Sequence, residues 1–167
     1  MPDSLPSSAA TDDRARVWRA AEDLGAAMLV TASADGMMAR PMSAIIRADE
    51  GMIYFLSDAG TEKIEDIAEY PNVAVTFSDA AKTHVAFRGT ATVTADRAKI
   101  HELWSPAADA FYPEGADDPT IRLITVEPLL AEMWESPGRL LALIQMVGAV
   151  ATGKSARDIG DHIKTEL

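Results

Sequence analysis

Two glycine-closed turn signals, Ala34-Asp35-Gly36 and Asp49-Glu50-Gly51, cut the stretch from Ala26 to Ser57 into three short strand-like runs. Turns of this kind join antiparallel strands through tight hairpins, so the three runs pair in sequence as a meander. The pattern predicts strands over 26–33, 37–48 and 52–57. Two further runs alternate. Val73, Val75 and Phe77 stand against Ala74 and Thr76, and Val85, Phe87 and Gly89 stand against His84, Ala86, Arg88 and Thr90. A glycine inside the second of these, at Gly89, predicts a bulge or a sharp bend. A sixth run over 120–126 resumes at 131–135, beyond Pro128. Five or six mostly antiparallel strands in a chain of 167 residues cannot leave their edges bare. The expected fold is mainly β with flanking helices (α+β), its strands closed into a small antiparallel barrel.

Helical spacing predicts a first helix from Thr11, with Val17, Trp18, Ala21 and Leu24 along one side and Gly25 as its stop. A second runs from Thr61 to about Tyr70 and ends at Pro71. Asp96 is placed to cap a third, from Arg97 to about Trp104, and a fourth is expected from Gly138 to about Thr152. Residues 1–10 read as a loose segment, 11–152 as one domain, and 153–167 as a polar tail with another short helical pattern.

The chain carries 15 Lys and Arg against 26 Asp and Glu, a net charge of −11. That excludes nucleic-acid binding over a broad basic surface but leaves room for one small anion held by two or three local cations. Cysteine is absent, which removes disulfides and thiolate–metal sites. The three histidines, His84, His101 and His162, show no metal-ligand spacing and no evident partner carboxylate. No run approaches the ~20 apolar residues of a membrane helix, and the N-terminus is neither basic nor apolar enough for a signal peptide. A cytoplasmic protein is the expectation.

Chemistry concentrates at Met52–Ile64, where a strand ends in a small polar loop and a helix begins. The first helical turn leaves N–H groups unpaired and carries partial positive charge. Ser57 and Thr61 add hydroxyl donors, and Lys63 adds an ammonium able to reach a phosphate. Arg40, flanked by Met38, Met42 and Ile46 on one strand face, points into an enclosed space and supplies a second cation.

Ordered motifs over most of the chain resemble the FMN-binding split-barrel family related to pyridoxamine 5′-phosphate oxidase, in its bacterial general-stress-protein branch. They are Ala39-Arg40-Pro41-Met42, Ile53-Tyr54-Phe55-Leu56-Ser57, Thr61-Glu62-Lys63, Pro71-Asn72-Val73 and Thr83 to Gly89. Leu103-Trp104-Ser105-Pro106, Phe111 to Gly115, Asp117-Asp118-Pro119 and Glu132-Met133-Trp134 complete the series. The resemblance implies a split-barrel homodimer with an FMN in each of two clefts between subunits, FAD being the alternative. It implies that Arg40 and Lys63 pair with the flavin phosphate, helped by Thr61. Pro41, Met42, Leu56 and Ser57 would lie along the isoalloxazine and ribityl chain, and His84 would face the flavin. Trp104 and Trp134 would sit near the cleft and reach across the dimer, although Trp104, Phe111 and Tyr112 are equally suited to packing the interface.

Two departures shape the functional expectation. The oxidase proper has Ser-Arg-Lys at the phosphate corner where this chain has Thr61-Glu62-Lys63, and nothing after Trp134 matches the oxidase's late Arg and His motif. A flavin-dependent oxidoreductase of unknown small-molecule substrate with a stress-related role is therefore expected, not a pyridoxamine-phosphate oxidase. The alternatives are a non-enzymatic flavin carrier or sensor, and a split barrel holding haem or a deazaflavin with His84 as the iron ligand.

Overall fold

The computed structural model describes residues 8–79, 82–136 and 161–167. The helix expected over 138–152 lies outside these residues. In chain order the elements are α1 (Ser8–Leu24), β1 (Ala26–Ser33), β2 (Gly36–Ser43), β3 (Ile45–Arg47), β4 (Met52–Asp58) and α2 (Glu62–Glu69). Then come β5 (Asn72–Ser78), β6 (Thr83–Thr94), α3 (Arg97–Leu103), α4 (Pro106–Asp109), β7 (Ile121–Glu135) and β8 (Asp161–Glu166).

The strands form one sheet in the order β2-β1-β5-β6-β7-β4-β3, every pair antiparallel. Its two edges, β2 and β3, are consecutive in the chain and only Ala44 separates them. One stretch of chain thus pairs with β1 through its first half and with β4 through its second, so the sheet curls into a barrel-like form. This is the split-barrel architecture that the resemblance implies, where the strand pattern alone predicts a closed barrel.

The inside of the curl holds the main core, with Leu29, Phe55, Val75, Phe87 and Ile124 fully or nearly fully buried. Trp18 of α1 reaches into it and meets the Phe87 ring at 5.0 Å, while Phe77 meets Phe87 edge-on at 5.9 Å. The opposite face of β4 and β7 carries a second cluster of Tyr54, Ile121 and Leu123 beneath Ile100 and Leu103 of α3. Arg97 locks the chain after α4 onto this layer by donating to the carbonyls of Ala116 (3.2 Å), Asp118 (2.6 Å) and Ile121. Asp96 caps α3 by accepting from the Lys99 N–H.

The structure differs from the pattern-based reading in four places. Helix α1 begins at Ser8 rather than Thr11. The second strand is divided at Ala44 because its halves serve opposite edges of the sheet. The runs on either side of Pro128 are one strand, Ile121–Glu135, with a register shift between Arg88 and Gly89 on its partner. The short helical pattern of the tail gives way over Asp161–Glu166 to β8, which pairs with Leu130–Glu135. Ile163 and Thr165 are buried there while their neighbours are exposed, a period-2 alternation that suits a strand. Gly89 stands where a Cβ would lie 2.1 Å from the Glu127 carbonyl oxygen, so only glycine permits the close approach of β6 and β7.

Candidate functional site

The barrel does not close completely. β2 pairs only with β1, and β3 covers β4 only through Met52, Ile53 and Tyr54, which leaves Phe55–Asp58 without a strand on that side. Past Ala44 the two edges diverge, and a cleft of about 300 Å³ occupies the split. Pro41 is tolerated in β2 because that strand is partnered on one side alone. The cleft lies between Pro41, Met42 and Ile45 on one side, Leu56 and Ser57 on another, and a wall of Ala108, Phe111 and Tyr112 from the segment around α4.

Arg40, Asp58 and Lys63 stand at one end. Arg40 donates to the buried Thr31 hydroxyl at 2.6 Å and to the Asp66 carboxylate at 3.2 Å, with Glu62 3.8 Å away. Asp66 of α2 turns toward the sheet, where Thr31 also donates to it at 3.2 Å. Lys63 has no hydrogen bond or ion pair among the described residues. Burial, and then the nearby Arg40 charge, hold its pKa below the ordinary lysine value, against a smaller opposing pull from Asp58. Two cations converge here, and one of them lacks a counter-ion. An anion in the cleft would relieve that repulsion.

The hydroxyls beside them are prearranged. Ser57 is buried, and its Oγ lies 3.1 Å from the Thr61 Oγ1. Thr61 donates to the Asp58 carbonyl at 2.9 Å and does not cap α2 with its side chain. Tyr112 is partly buried in the cleft wall, its ring 6.1 Å from that of Trp104, whose indole N–H donates to Asp109 at 2.9 Å. Burial, with the Asp58 charge adding to it, raises the Tyr112 pKa, so the phenol is protonated at neutral pH.

Of the residues singled out in sequence, Arg40, Pro41, Met42, Leu56, Ser57 and Lys63 line one cleft, and Thr61 backs it through Ser57. Trp104 lines an adjoining, more open groove with Ala44 and Arg47, and Ile45 and Ser105 belong to both hollows. His84 and Trp134 line neither. They are cross-strand neighbours on β6 and β7, His84 beside the Ser78 hydroxyl at 3.1 Å and Trp134 stacked on His162 at 5.2 Å. His101 and His162 have carboxylate partners brought from afar, Asp117 at 2.7 Å and Glu132 at 3.3 Å. Among the described residues, no group of three or more His, Asp or Glu is arranged to hold a metal ion. Sequence reasoning did not place Asp58, Ser43 or Ile45 at the site. Period-2 alternation after Leu56 exposes Asp58, but only the split makes that position part of a cleft.

A family model described as pyridoxamine 5′-phosphate oxidase like matches residues 12–157. The fold is similar to that of a crystal structure named for general stress protein 26 from Jannaschia sp. CCS1. The two chains are 25% identical over 94% of this chain and 99% of the other, with a TM-score of 0.71. A general stress FMN/FAD binding protein from Xanthomonas citri is 26% identical, covering 75% of this chain and 89% of its own, with a TM-score of 0.66. The general stress protein 26 of Bacillus anthracis str. Sterne shares the fold at 19% identity, covering 72% and 92% of the two chains with a TM-score of 0.65. No curated protein sequence matches the chain significantly.

Proposed function

Because the chain belongs to the pyridoxamine 5′-phosphate oxidase-like family, we propose that its cleft binds a flavin, FMN before FAD, and that the protein is a flavin-dependent oxidoreductase acting on a small molecule. One observation carries this: an ammonium with no hydrogen bond or ion pair among the described residues, Lys63, beside the Arg40 guanidinium at the end of a largely apolar slot. The cleft volume of about 300 Å³ is at the lower end of small-molecule sites, which span roughly 300–1,000 Å³. Arg40 and Lys63 would take the phosphate, with Ser57 and Thr61 beside it. Met42, Ile45 and Leu56 would flank the ring, and Pro41 would lie along its edge.

When bound, the flavin supplies hydride or electron transfer. The chain's own residues would bind the phosphate and pack against the ring. The name of the Xanthomonas citri relative, an FMN/FAD binding protein, supports this reading. Oxidation of pyridoxamine phosphate is not part of it, since Glu62 replaces a phosphate-binding cation and the late Arg and His motif is missing.

The proposal extends to a cytoplasmic homodimer with a stress-related role, in which a second copy covers the open side of the cleft. His84 and Trp134, away from their own cleft, would then act at the subunit contact. A second reading, a flavin carrier or sensor without turnover, is favoured by the two acids at the phosphate end, Asp58 in the cleft and Glu62 near Arg40. Haem is disfavoured, because among the described residues no histidine lines the cleft.

The test is an absorbance titration of the purified protein with FMN and FAD, followed by anaerobic NADPH. Saturable binding with bleaching of the flavin band supports the oxidoreductase, and binding without bleaching by any reductant supports the carrier. An Arg40→Ala, Lys63→Ala double variant that keeps full flavin content would refute the phosphate assignment.

A further inference from the structure

We propose that Tyr112, which lines the same cleft as Lys63 from a separate segment, is a further donor to the ligand's phosphate and stands in for the cation that Glu62 displaces. The proposal rests on the flavin reading and adds a specificity-determining residue to it. The site needs such a donor because Glu62 is directed at Arg40, 3.8 Å away, and its side chain is 90% exposed. An acid there cannot bind an anion, the two cations share the corner with the Asp58 carboxylate, and the Thr61 hydroxyl already donates to the Asp58 carbonyl.

Tyr112 meets the requirements for that role. It lines the same cleft as Lys63 and Asp58 but arrives on a separate segment. Its hydroxyl has no hydrogen-bond partner among the described residues. The segment that carries it is braced: the Tyr112 N–H donates to the Ala108 carbonyl at 2.9 Å, and the Gly115 N–H donates to the Tyr112 carbonyl at 3.0 Å. The ring is buttressed by Trp104, which Asp109 holds in turn. Tyr112 shares this cleft with both Asp58 and Lys63, and the Asp58 charge acts on each of them. A protonated phenol is well suited there. It donates to a phosphate oxygen without adding to the repulsion between Arg40 and Lys63.

The experiment compares FMN with riboflavin, which lacks the phosphate, on wild type and Tyr112→Phe by fluorescence titration. The expected result is about a tenfold loss of FMN affinity in the variant, the size of one hydrogen bond to a charged group, with riboflavin affinity unchanged. An equal loss for both flavins would make Tyr112 a wall for the ring and overturn the proposal, as would no loss for either. If wild type binds neither flavin, the flavin reading itself fails, and the proposal falls with it. A matching thermal melt of the variant keeps misfolding out of the comparison.

Discussion

Lys63 and Arg40 show how one corner can hold two cations on different terms. Arg40 is compensated by Asp66 and Thr31, so it is part of the fold whether or not a ligand is present. Lys63 has no direct partner among the described residues, and its pKa in the folded protein lies below its ordinary value of 10.5. The unfolded chain therefore holds more protons between that lowered value and 10.5, and stability rises with pH through the window. Below the window the burial of a charged Lys63 opposes folding in full. A Lys63→Met variant should lose at least tenfold in FMN affinity while its melting temperature at neutral pH stays level or rises. The alkaline rise in its stability should flatten. Titration calorimetry and thermal melts at pH 7 and pH 10 check both signs, and a lowered melting temperature at pH 7 would contradict the argument. Arg40→Ala should behave differently and destabilise the free protein, since it strands the largely buried Asp66 carboxylate.

At the scale of elements, the close approach of β6 and β7 depends on Gly89. Its missing Cβ would meet backbone atoms of Glu127 and Pro128, which cannot rotate away as a side-chain tip could. Gly89→Ala should cost about 2 kcal/mol by forcing the strands apart. Chemical denaturation would read this as a lower midpoint at unchanged slope. A second junction ties the β3–β4 turn to α3. There Glu50 accepts from the Tyr54 hydroxyl and pairs with Lys99 at 2.9 Å, and Lys99 lies over the Tyr54 ring. Those bonds, the tyrosine's first, hold the Glu50 pKa below its ordinary value of 4.5. The contribution is present above 4.5 and is lost as pH falls through the lowered value. Glu50→Gln should therefore be less stable than wild type at pH 7, with the gap closing toward pH 3. A gap that is constant across that range would show that the ion pair is not its source.

At the scale of the molecule, a net charge of −11 on one domain repels itself. At 0.1 M salt the repulsion between exposed charges more than about 10 Å apart is largely screened, so the melting temperature of the free protein should climb between ~10 and ~200 mM NaCl. A flat profile would mean that the internal pairs, such as Arg16 with Glu135 and Asp161, already balance the charge locally. Those pairs also join α1 to β7 and β8. A strand more than two dozen residues beyond β7 in sequence is thereby fastened to the first helix.

Much of this architecture is legible in the residues. Glycine-closed turns, period-2 alternation and caps are local properties. The hairpins around Gly36 and Gly51, the faces of β5 and β6, the Gly25 stop, the Asp96 cap and the bulge at Gly89 all follow from a few neighbouring residues. The cations Arg40 and Lys63 and the hydroxyls of Ser57 and Thr61 were visible in the same way, as residue types at the ends of a strand and a helix. What the tertiary structure alone decided is where the barrel fails to close. That depends on Ala44 dividing one strand between two edges, a matter of pairing between segments distant in sequence. The same long-range pairing turned Asp66 onto Arg40, brought Tyr112 into one cleft with Lys63 and kept His84 and Trp134 out of that cleft. Contacts of this kind depend on which segments meet, and no window of the sequence contains both partners.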